Sequence, residues 1–430
     1  KICYNFPMQF QKKTFKNGLR AVVAPMRDTQ AMTLLALFGT GSKYEIKKLN
    51  GISHFLEHLF FKGTKHRPKA GQVNLELDRL GAESNAFTSK EYTGYYVKAA
   101  AKHFEVALDI VSDILLEPLF KAQEIEKERG VILQELSMYE DNPQRQAYEI
   151  FEDLLYGDQP AGWMTGGYPG TVKNITRRDI INYKTSHYLS SNAVIAVAGN
   201  IDQDRVFKKI GKIFLKMPQG EKLEKLKVEE SQTRPQVKLK KKDVDQTHIR
   251  LGVRSYDMYD ERRYPLTVLN TIIGGNWSSR LFTELREKLG LAYYVRSSVE
   301  QYTDAGYMIA SAGIPHGTLQ KVSEKIVQIL SGARKKGVSG QEIKFAKEYI
   351  RGSMGLAFES SDEVAMYLAS QELFYKKILT PEEVLSKIEK VRRSDIMGVA
   401  KDIFSPAKIN LAAITPDDNA KPFEKILAKI

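Results

Sequence analysis

The stretch NAFTSKEYTGYYVKAA, residues 85–100, has the same pattern as RSSVEQYTDAGYMIASA, residues 296–312. Gly94 and Gly306 occupy equivalent places in the two stretches, at an offset of 212 residues. KERGVIL and KEYIRGS give a weaker echo at an offset of 220. Two echoes at nearly one offset indicate a duplicated unit of roughly 210 residues rather than one turn of a solenoid. The sequence therefore predicts two homologous halves, each an α/β sandwich.

The first half opens with sheet and continues with helices. TFKNGLRAVVAP has β-rich arms on either side of Asn17-Gly18, the strongest short hairpin signal, and AMTLLALF at 31–38 is typical of a buried strand. A further strand is predicted over 193–200, with a helix from near Asp202. Apolar residues at helical spacing predict amphipathic helices over 51–61, 102–116, 122–140 and 145–155.

The second half repeats this succession after a polar stretch. Residues 217–235 lack any sustained apolar period, which is typical of a linker. Strand, helix, paired strands and long helices then follow, up to about residue 353. We therefore expect an α+β protein with mainly antiparallel sheets, in which 217–235 joins an N-terminal half, 1–216, to a C-terminal half, 236–430.

Size and composition limit the class of protein. The chain has 430 residues, 42% apolar and 27% charged, and no apolar run approaches the ~20 residues of a membrane span. The opening KICYNFPMQFQKK lacks the apolar region of a signal peptide, so we expect a soluble, cytoplasmic protein without a membrane partner. The single cysteine, Cys3, excludes an internal disulfide and a cysteine-rich metal cage. A metal site would need histidine and carboxylate ligands.

The net charge of +13 raises the alternative of a nucleic-acid or anionic-surface binder. Lysine is spread along the chain rather than gathered in one stripe, and only QVKLKKK, residues 236–242, stands out. Such a run is more often a solvated strand or linker edge. We therefore expect no nucleic-acid partner.

Two of the seven histidines fall in GISHFLEHLFFKG, residues 51–63. On a helix, residues three and four apart share a face, so His54, Glu57 and His58 project to one side. The pattern H-x-x-E-H is the inverted zincin signature, although a helical histidine pair also occurs in cores and on surfaces. A catalytic zinc keeps one position for water beside three protein ligands, so a third ligand is required from elsewhere.

The helix predicted over 122–140 supplies candidates for that ligand. Glu128 and Glu135 are seven residues apart, and Val131 and Ile132 lie between them on the same side. Acids on an inward face can meet a buried cation. The alternative is an exposed acidic stripe, which is common on helices.

These motifs resemble those of the pitrilysin, or insulinase, family of zinc metallopeptidases. HFLEH is followed by Glu135, within ERGVILQE, after 76 intervening residues. The segment 83–120 is similar to the family's sequence after the zinc helix, and LFTELREKLGLAYYV at 281–295 resembles its Arg/Tyr substrate-binding element. The similarity extends over nearly the whole chain, and the length is that of the family's short, dimeric, bacterial-type members, which are like the mitochondrial processing peptidase.

The resemblance implies a role for each matching residue. His54, His58 and Glu135 would bind Zn²⁺, Glu57 would be the general base acting on a zinc-activated water, and Glu128 would orient a ligand.

Asn85 and Ala86 would lie on an edge strand that pairs with substrate backbone. Arg286 and Tyr293 would hold the carbonyl side of the reacting bond.

The resemblance further implies a clamshell of two halves and a zinc endopeptidase that cleaves extended or unfolded peptides inside a closed chamber. The expected partners are peptide substrates and a second copy in a homodimer, or an inactive homologue in a heterodimer. The alternative is a non-catalytic structural or substrate-presenting member of the family. Such members lack parts of the zinc set, whereas every matching position is intact here.

Overall fold

A computed structural model describes residues 8–417 and 419–430, so Cys3 lies outside the described residues. The strands are β1 (Gln11–Thr14), β2 (Arg20–Pro25), β3 (Ala31–Phe38), β4 (Glu83–Thr88), β5 (Thr93–Ala100), β6 (Ala193–Gly199), β7 (Gln236–Lys241), β8 (Thr247–Arg254), β9 (Tyr294–Gln301), β10 (Gly306–Ile314) and β11 (Ile409–Thr415). The helices are α1 (Ile52–Leu59), α2 (Gln72–Arg79), α3 (Phe104–Leu116), α4 (Ala122–Asp141), α5 (Pro143–Tyr156), α6 (Pro169–Asn174), α7 (Arg177–His187), α8 (Gln203–Phe214), α9 (Arg263–Gly274), α10 (Leu319–Lys336), α11 (Gly340–Ala357), α12 (Ser361–Phe374), α13 (Pro381–Glu389), α14 (Arg393–Ile403) and α15 (Lys421–Leu427).

The chain forms two compact units that do not follow chain order. The first unit contains the chain up to Leu136 with Met164–Leu226 and Met354–Glu382, and the second contains Ser137–Trp163, Lys227–Ser353 and Glu383–Ile430. Each unit therefore takes helices from the other half of the sequence: α12 belongs to the first unit and α5 to the second. Residues 217–235 contain neither helix nor strand.

The sheet of the first unit has the order β1-β2-β6-β3-β5-β4. Only β2 and β6 run parallel, and the other neighbours are antiparallel. Helix α12 packs on this sheet, where Val364 and Leu368 share a core with Leu35 and Leu37 of β3. Strand β4 is left at the edge, beside α1.

The sheet of the second unit has the order β7-β11-β8-β10-β9. Its parallel pair is β7 and β11, and its other pairs are antiparallel, so it repeats five strands of the first sheet in order and direction. Helix α5 packs on it, with Phe151 and Leu155 in one core with Tyr307 and Ala412. The predicted duplication and the α+β class with mainly antiparallel sheets are confirmed.

Short-range sequence patterns predicted most of the helices and strands of both halves. The hairpin turns at Gly18 with φ of +80°, and β3 covers the predicted 31–38. The basic run 236–242 is largely β7, an edge strand. Those patterns missed α2, α6, α7 and the elements after α11. In α7 and α12 the apolar residues show little helical period. No helix among the described residues has the length and apolar character needed to span a membrane.

Candidate metal centre

The start of α1 depends on glycine. Gly51 has φ of +97°, a conformation that side chains rarely adopt, and a Cβ there would lie 2.7 Å from the carbonyl oxygen of Gly166. The close approach fixes the beginning of the helix against the 164–168 loop. Asn50 donates from Nδ2 to the Met164 carbonyl (3.1 Å), which holds the same contact.

Glu45 binds the first turn of α1 from outside the helix. Its carboxylate accepts hydrogen bonds from the backbone N–H groups of Gly51 (2.7 Å) and Ser53 (2.8 Å) and from Asn50 Nδ2 (2.8 Å). Burial raises the pKa of Glu45 to about 7, although these hydrogen bonds oppose the shift. The acid satisfies donors that would otherwise have no partner at a helix start, and so fixes the position of the helix that carries the histidines.

Three side chains meet beside α1. His54 Nε2 lies 3.6 Å and His58 Nε2 lies 3.3 Å from Glu135 Oε2 of α4. One ligand atom from each residue lies within 4.8 Å of the other two. Two imidazole nitrogens and a carboxylate oxygen form the ligand set of a catalytic zinc site, which leaves further positions open. The donor chemistry and the spacing therefore fit zinc.

Glu128 lies behind this group. His58 Nδ1 is 3.3 Å from Glu128 Oε2, and Lys62 Nζ is 2.8 Å from Oε1 of the same buried carboxylate. Burial acts to raise the pKa of Glu128, but hydrogen bonds from His58 and Lys62 outweigh it and lower the pKa. For His58, burial opposes the charged ring, but Glu128 and Glu135 outweigh it and raise the pKa to about 9.

The inward face of α4 differs in one position from the sequence expectation. Glu128 and Ile132 are buried, but Val131 is 46% exposed. Val131 and Ile132 lie on opposite sides of Glu128 around the helix axis, and the buried side is the one that carries Ile132 and Leu136. Glu135 is half-buried at the border of this face, where it can reach both histidines.

Glu57 lies on the same helix face as the histidines. Thr88 Oγ1 at the end of β4 donates a 2.6 Å hydrogen bond to Glu57 Oε2. Burial raises the pKa of Glu57, while the hydrogen bond from Thr88 opposes this shift. The carboxylate is thus held in place and made more basic than an exposed one.

The residues expected to bind substrate backbone lie on β4. Asn85 and Ala86 pair with Tyr96 and Tyr95 of β5, and no strand of the described residues pairs with the other side of β4. Ala86 N donates to Asn85 Oδ1 (2.9 Å), so this backbone N–H group already has a hydrogen-bond acceptor within β4.

Arg286 and Tyr293 belong to the second unit. Arg286 lies at the end of a π-helical segment, Phe282–Lys288, and its guanidinium donates to the Tyr293 carbonyl and lies 5.9 Å from the Tyr293 ring centroid. The Tyr293 side chain is exposed, so its hydroxyl is accessible. The structure therefore joins these two residues to each other.

Comparisons with known proteins identify the family of this chain. The family profile described as Insulinase (Peptidase family M16) matches residues 21–163, and the profile described as Peptidase M16 inactive domain matches residues 174–350. The uncharacterized zinc protease YmxG of Bacillus subtilis is 34% identical over 95% of this chain and 99% of its own. An uncharacterized zinc protease of Rickettsia felis is 33% identical over 95% of this chain and 98% of its own.

The chain belongs to peptidase family M16, the insulinase family. Among solved structures, a protease from Helicobacter pylori matches with a TM-score of 0.89 at 25% identity, covering 96% of this M16 chain and 100% of the other. An M16-like peptidase from Alicyclobacillus acidocaldarius shares the fold with a TM-score of 0.84 at 21% identity, covering 97% and 100%.

Three residues near the site of this M16 chain were missed by sequence reasoning. Lys62 lies three positions beyond the end of α1, so helical spacing does not place it beside Glu128. Thr88 lies within the matched segment 83–120, but its contact with Glu57 depends on how β4 packs beside α1. Glu45 has no local signal, because the helix start that it caps follows a loop.

Proposed function

We propose that this chain is a zinc-dependent endopeptidase in which His54, His58 and Glu135 hold one zinc ion. The observation that carries the proposal is the approach of both Nε2 atoms to Glu135 Oε2, at 3.6 and 3.3 Å, with Glu57 on the same face. The names of the related zinc proteases support the same metal.

Zinc held by three protein ligands supplies a Lewis acid that lowers the pKa of water from about 15.7 toward ~7 and polarises a carbonyl. Glu57 is the general base: its carboxylate takes a proton from the attacking water and returns it to the leaving amine. Thr88 fixes the orientation of that carboxylate, and burial keeps its pKa raised, which favours proton uptake.

Glu128 orients His58. Its contact with Nδ1 directs Nε2 toward the metal position, and a carboxylate bound to the far nitrogen of a ligating histidine raises ligand basicity. Lys62 balances the buried charge of Glu128.

The substrate class follows from the free edge of β4. An extended peptide that adds as a strand beside Asn85 and Ala86 gains main-chain hydrogen bonds, which favours extended peptides over folded proteins. In this proposal Arg286 and Tyr293 hold the carbonyl side of the reacting bond, the halves close over the peptide, and two copies form a homodimer around the chamber.

The test is zinc content and cleavage in one preparation. Purified protein should carry about one zinc per chain, as three ligands on packed helices predict, and should cleave an unfolded peptide library analysed by mass spectrometry. Chelation should abolish cleavage, and added zinc should restore it. Activity that survives exhaustive chelation would remove the metal from the mechanism, and a zinc-loaded but inactive protein would favour the non-catalytic alternative.

A further inference from the structure

The second unit buries a cation that has no acidic partner. Arg250 on β8 is 4% exposed, and Nη2 donates to the carbonyl oxygen of Gln144 (2.9 Å). Its Nε and Nη1 atoms are buried without a hydrogen-bond partner, and no carboxylate of the described residues forms an ion pair with it. A buried charge is costly unless it is paired. The polar neighbours of the guanidinium are therefore the Gln144 carbonyl and the Tyr294 hydroxyl, and no carboxylate of the described residues balances its charge.

A second arginine lies in the same row of the sheet. Ser311 of β10 pairs with Arg250 on β8 and with Arg296 on β9. Directly opposite residues share a face of the sheet, and neighbouring strands are about 4.8 Å apart, so the two arginines flank Ser311 with roughly 10 Å between their backbones. Arg296 is exposed, and it too has no ion pair within the described part of the chain. Two guanidinium groups thus share one row of this face.

The adjacent row adds polar groups but no acid. Tyr294 OH lies 3.0 Å from His248 Nδ1, and a Cβ at Gly313 between them would lie 2.5 Å from a ring carbon of Tyr294. Because Gly313 has no side chain, the ring of Tyr294 can lie across β10. Burial lowers the pKa of His248, and the charge of Arg250 lowers it further.

The acids of this face lie farther along the strands. Glu300 is four residues beyond Arg296 on β9, which is about 13 Å along the strand. Glu152 accepts a hydrogen bond from Tyr307 (3.1 Å), the residue paired with Glu300. The row that contains the two arginines is therefore locally positive.

We propose that Arg250 and Arg296 form a binding site for a carboxylate of a peptide substrate, with the carboxylate lying over Ser311. Guanidinium groups match the planar carboxylate with paired hydrogen bonds. The free edge of β9, which ends the sheet order, is where an extended chain can be added beside Arg296. The substrate role rests on the proposed function. The carboxylate belongs either to the C-terminus of the peptide or to an Asp or Glu side chain.

Binding is measured rather than cleavage, so that the result does not depend on the zinc mechanism. A fluorescein-labelled peptide is prepared in four forms, with Glu or Gln at one internal position and a free or amidated C-terminus. Anisotropy titrations use the full chain carrying Glu57→Gln, which keeps the peptide intact. Arg250→Gln and Arg296→Gln are compared with Arg392→Gln, which removes one charge from a 79% exposed side chain of the same unit.

The form with the recognised carboxylate should bind roughly 10-fold to 100-fold more tightly than its neutral counterpart, as expected for hydrogen bonds to a charged group. If the arginine variants lose a preference for the free over the amidated C-terminus, the recognised carboxylate is the C-terminus of the peptide. If they lose a preference for Glu over Gln, it is the side chain. Each arginine variant should abolish the preference and Arg392→Gln should keep it.

Arg296→Glu gives an independent test, because Arg296 is exposed and its substitution does not disturb the core. This variant should prefer a peptide with Lys at the recognised position. Equal binding of all four peptides by the parent protein, or an unchanged preference in both Arg296 variants, overturns the proposal. Cleavage that depends on zinc without any carboxylate preference would reject this site and leave the proposed peptidase intact.

Discussion

His58 Nδ1 lies 3.3 Å from Glu128 Oε2, on the side of the ring opposite to Glu135. Lys62 binds the other oxygen of Glu128 at 2.8 Å. The histidine is therefore held from behind by an acid whose charge is itself balanced. In the proposed mechanism this arrangement connects metal affinity to a residue outside the ligand set.

The variant Glu128→Gln should lower zinc affinity. Loss of the carboxylate behind a ligating histidine typically costs 10-fold to 100-fold, roughly, because the ring is less well oriented and less basic. Competition with a chromophoric chelator measures the affinity. Glu126→Gln on the exposed side of α4 is the matched control. Equal affinity in both variants would mean that Glu128 does not support the metal.

Zinc affinity should depend on pH through His58. The pKa of His58 in the metal-free protein is about 9, above the ordinary 6.5, so its charged form stabilises the metal-free fold below pH 6.5 and this contribution is lost as pH rises through 9. Zinc requires the neutral ring, so binding releases a proton. The apparent affinity should then rise about tenfold per pH unit from 6.5 to 9. A flat profile in chelator competition would contradict this, and Glu128→Gln should reduce the slope above neutral pH.

Glu57→Gln should abolish proton transfer but not metal binding. We expect kcat to fall roughly 10²-fold to 10⁴-fold with unchanged zinc content, because the amide cannot take the proton. Near-normal turnover with confirmed metal content would place the base elsewhere.

Thr88→Val is a milder variant that acts on the same base. It removes the hydrogen bond that opposes the raised pKa of Glu57, so that pKa rises further and the acidic limb of kcat/KM moves to higher pH. An acidic limb that does not move would mean that this hydrogen bond does not affect the group whose titration limits kcat/KM.

Tyr293→Phe tests whether the second unit takes part in catalysis. If the hydroxyl is a donor to the developing oxyanion, kcat should fall roughly 10-fold to 10³-fold with zinc content unchanged. The side chain is 73% exposed, so Tm should change little. Tyr349→Phe, on another exposed tyrosine of the same unit, is the control. A normal kcat would remove Tyr293 from the mechanism.

Glu45→Ala should destabilise the fold. The substitution leaves the backbone N–H groups of Gly51 and Ser53 without their acceptor, at a cost of about 1–3 kcal/mol for each buried donor. Urea unfolding of the zinc-free protein measures the change in the free energy of unfolding. The exposed Glu221→Ala should have no comparable effect, and equal stability of both variants would show that α1 does not need this cap.

The sequence by itself determined the local relationships. His54, Glu57 and His58 share a face because the helical hydrogen-bond pattern returns a side chain to the same side after three or four residues, which depends on nothing outside the segment. The hairpin at Asn17-Gly18 and the strand over 31–38 follow from equally local preferences.

The tertiary structure decided what lies beside those residues. Thr88 and Glu45 reach α1 from a strand and a loop, and no periodicity within a segment encodes such a contact. The same holds for α12, which packs on the first sheet although it comes 323 residues after β3 ends, and for α5, which packs on the second. An amphipathic helix specifies only that its apolar face must be buried. Which sheet buries that face is settled by the packing of the whole chain, since complementary shape at a distance in sequence leaves no local pattern.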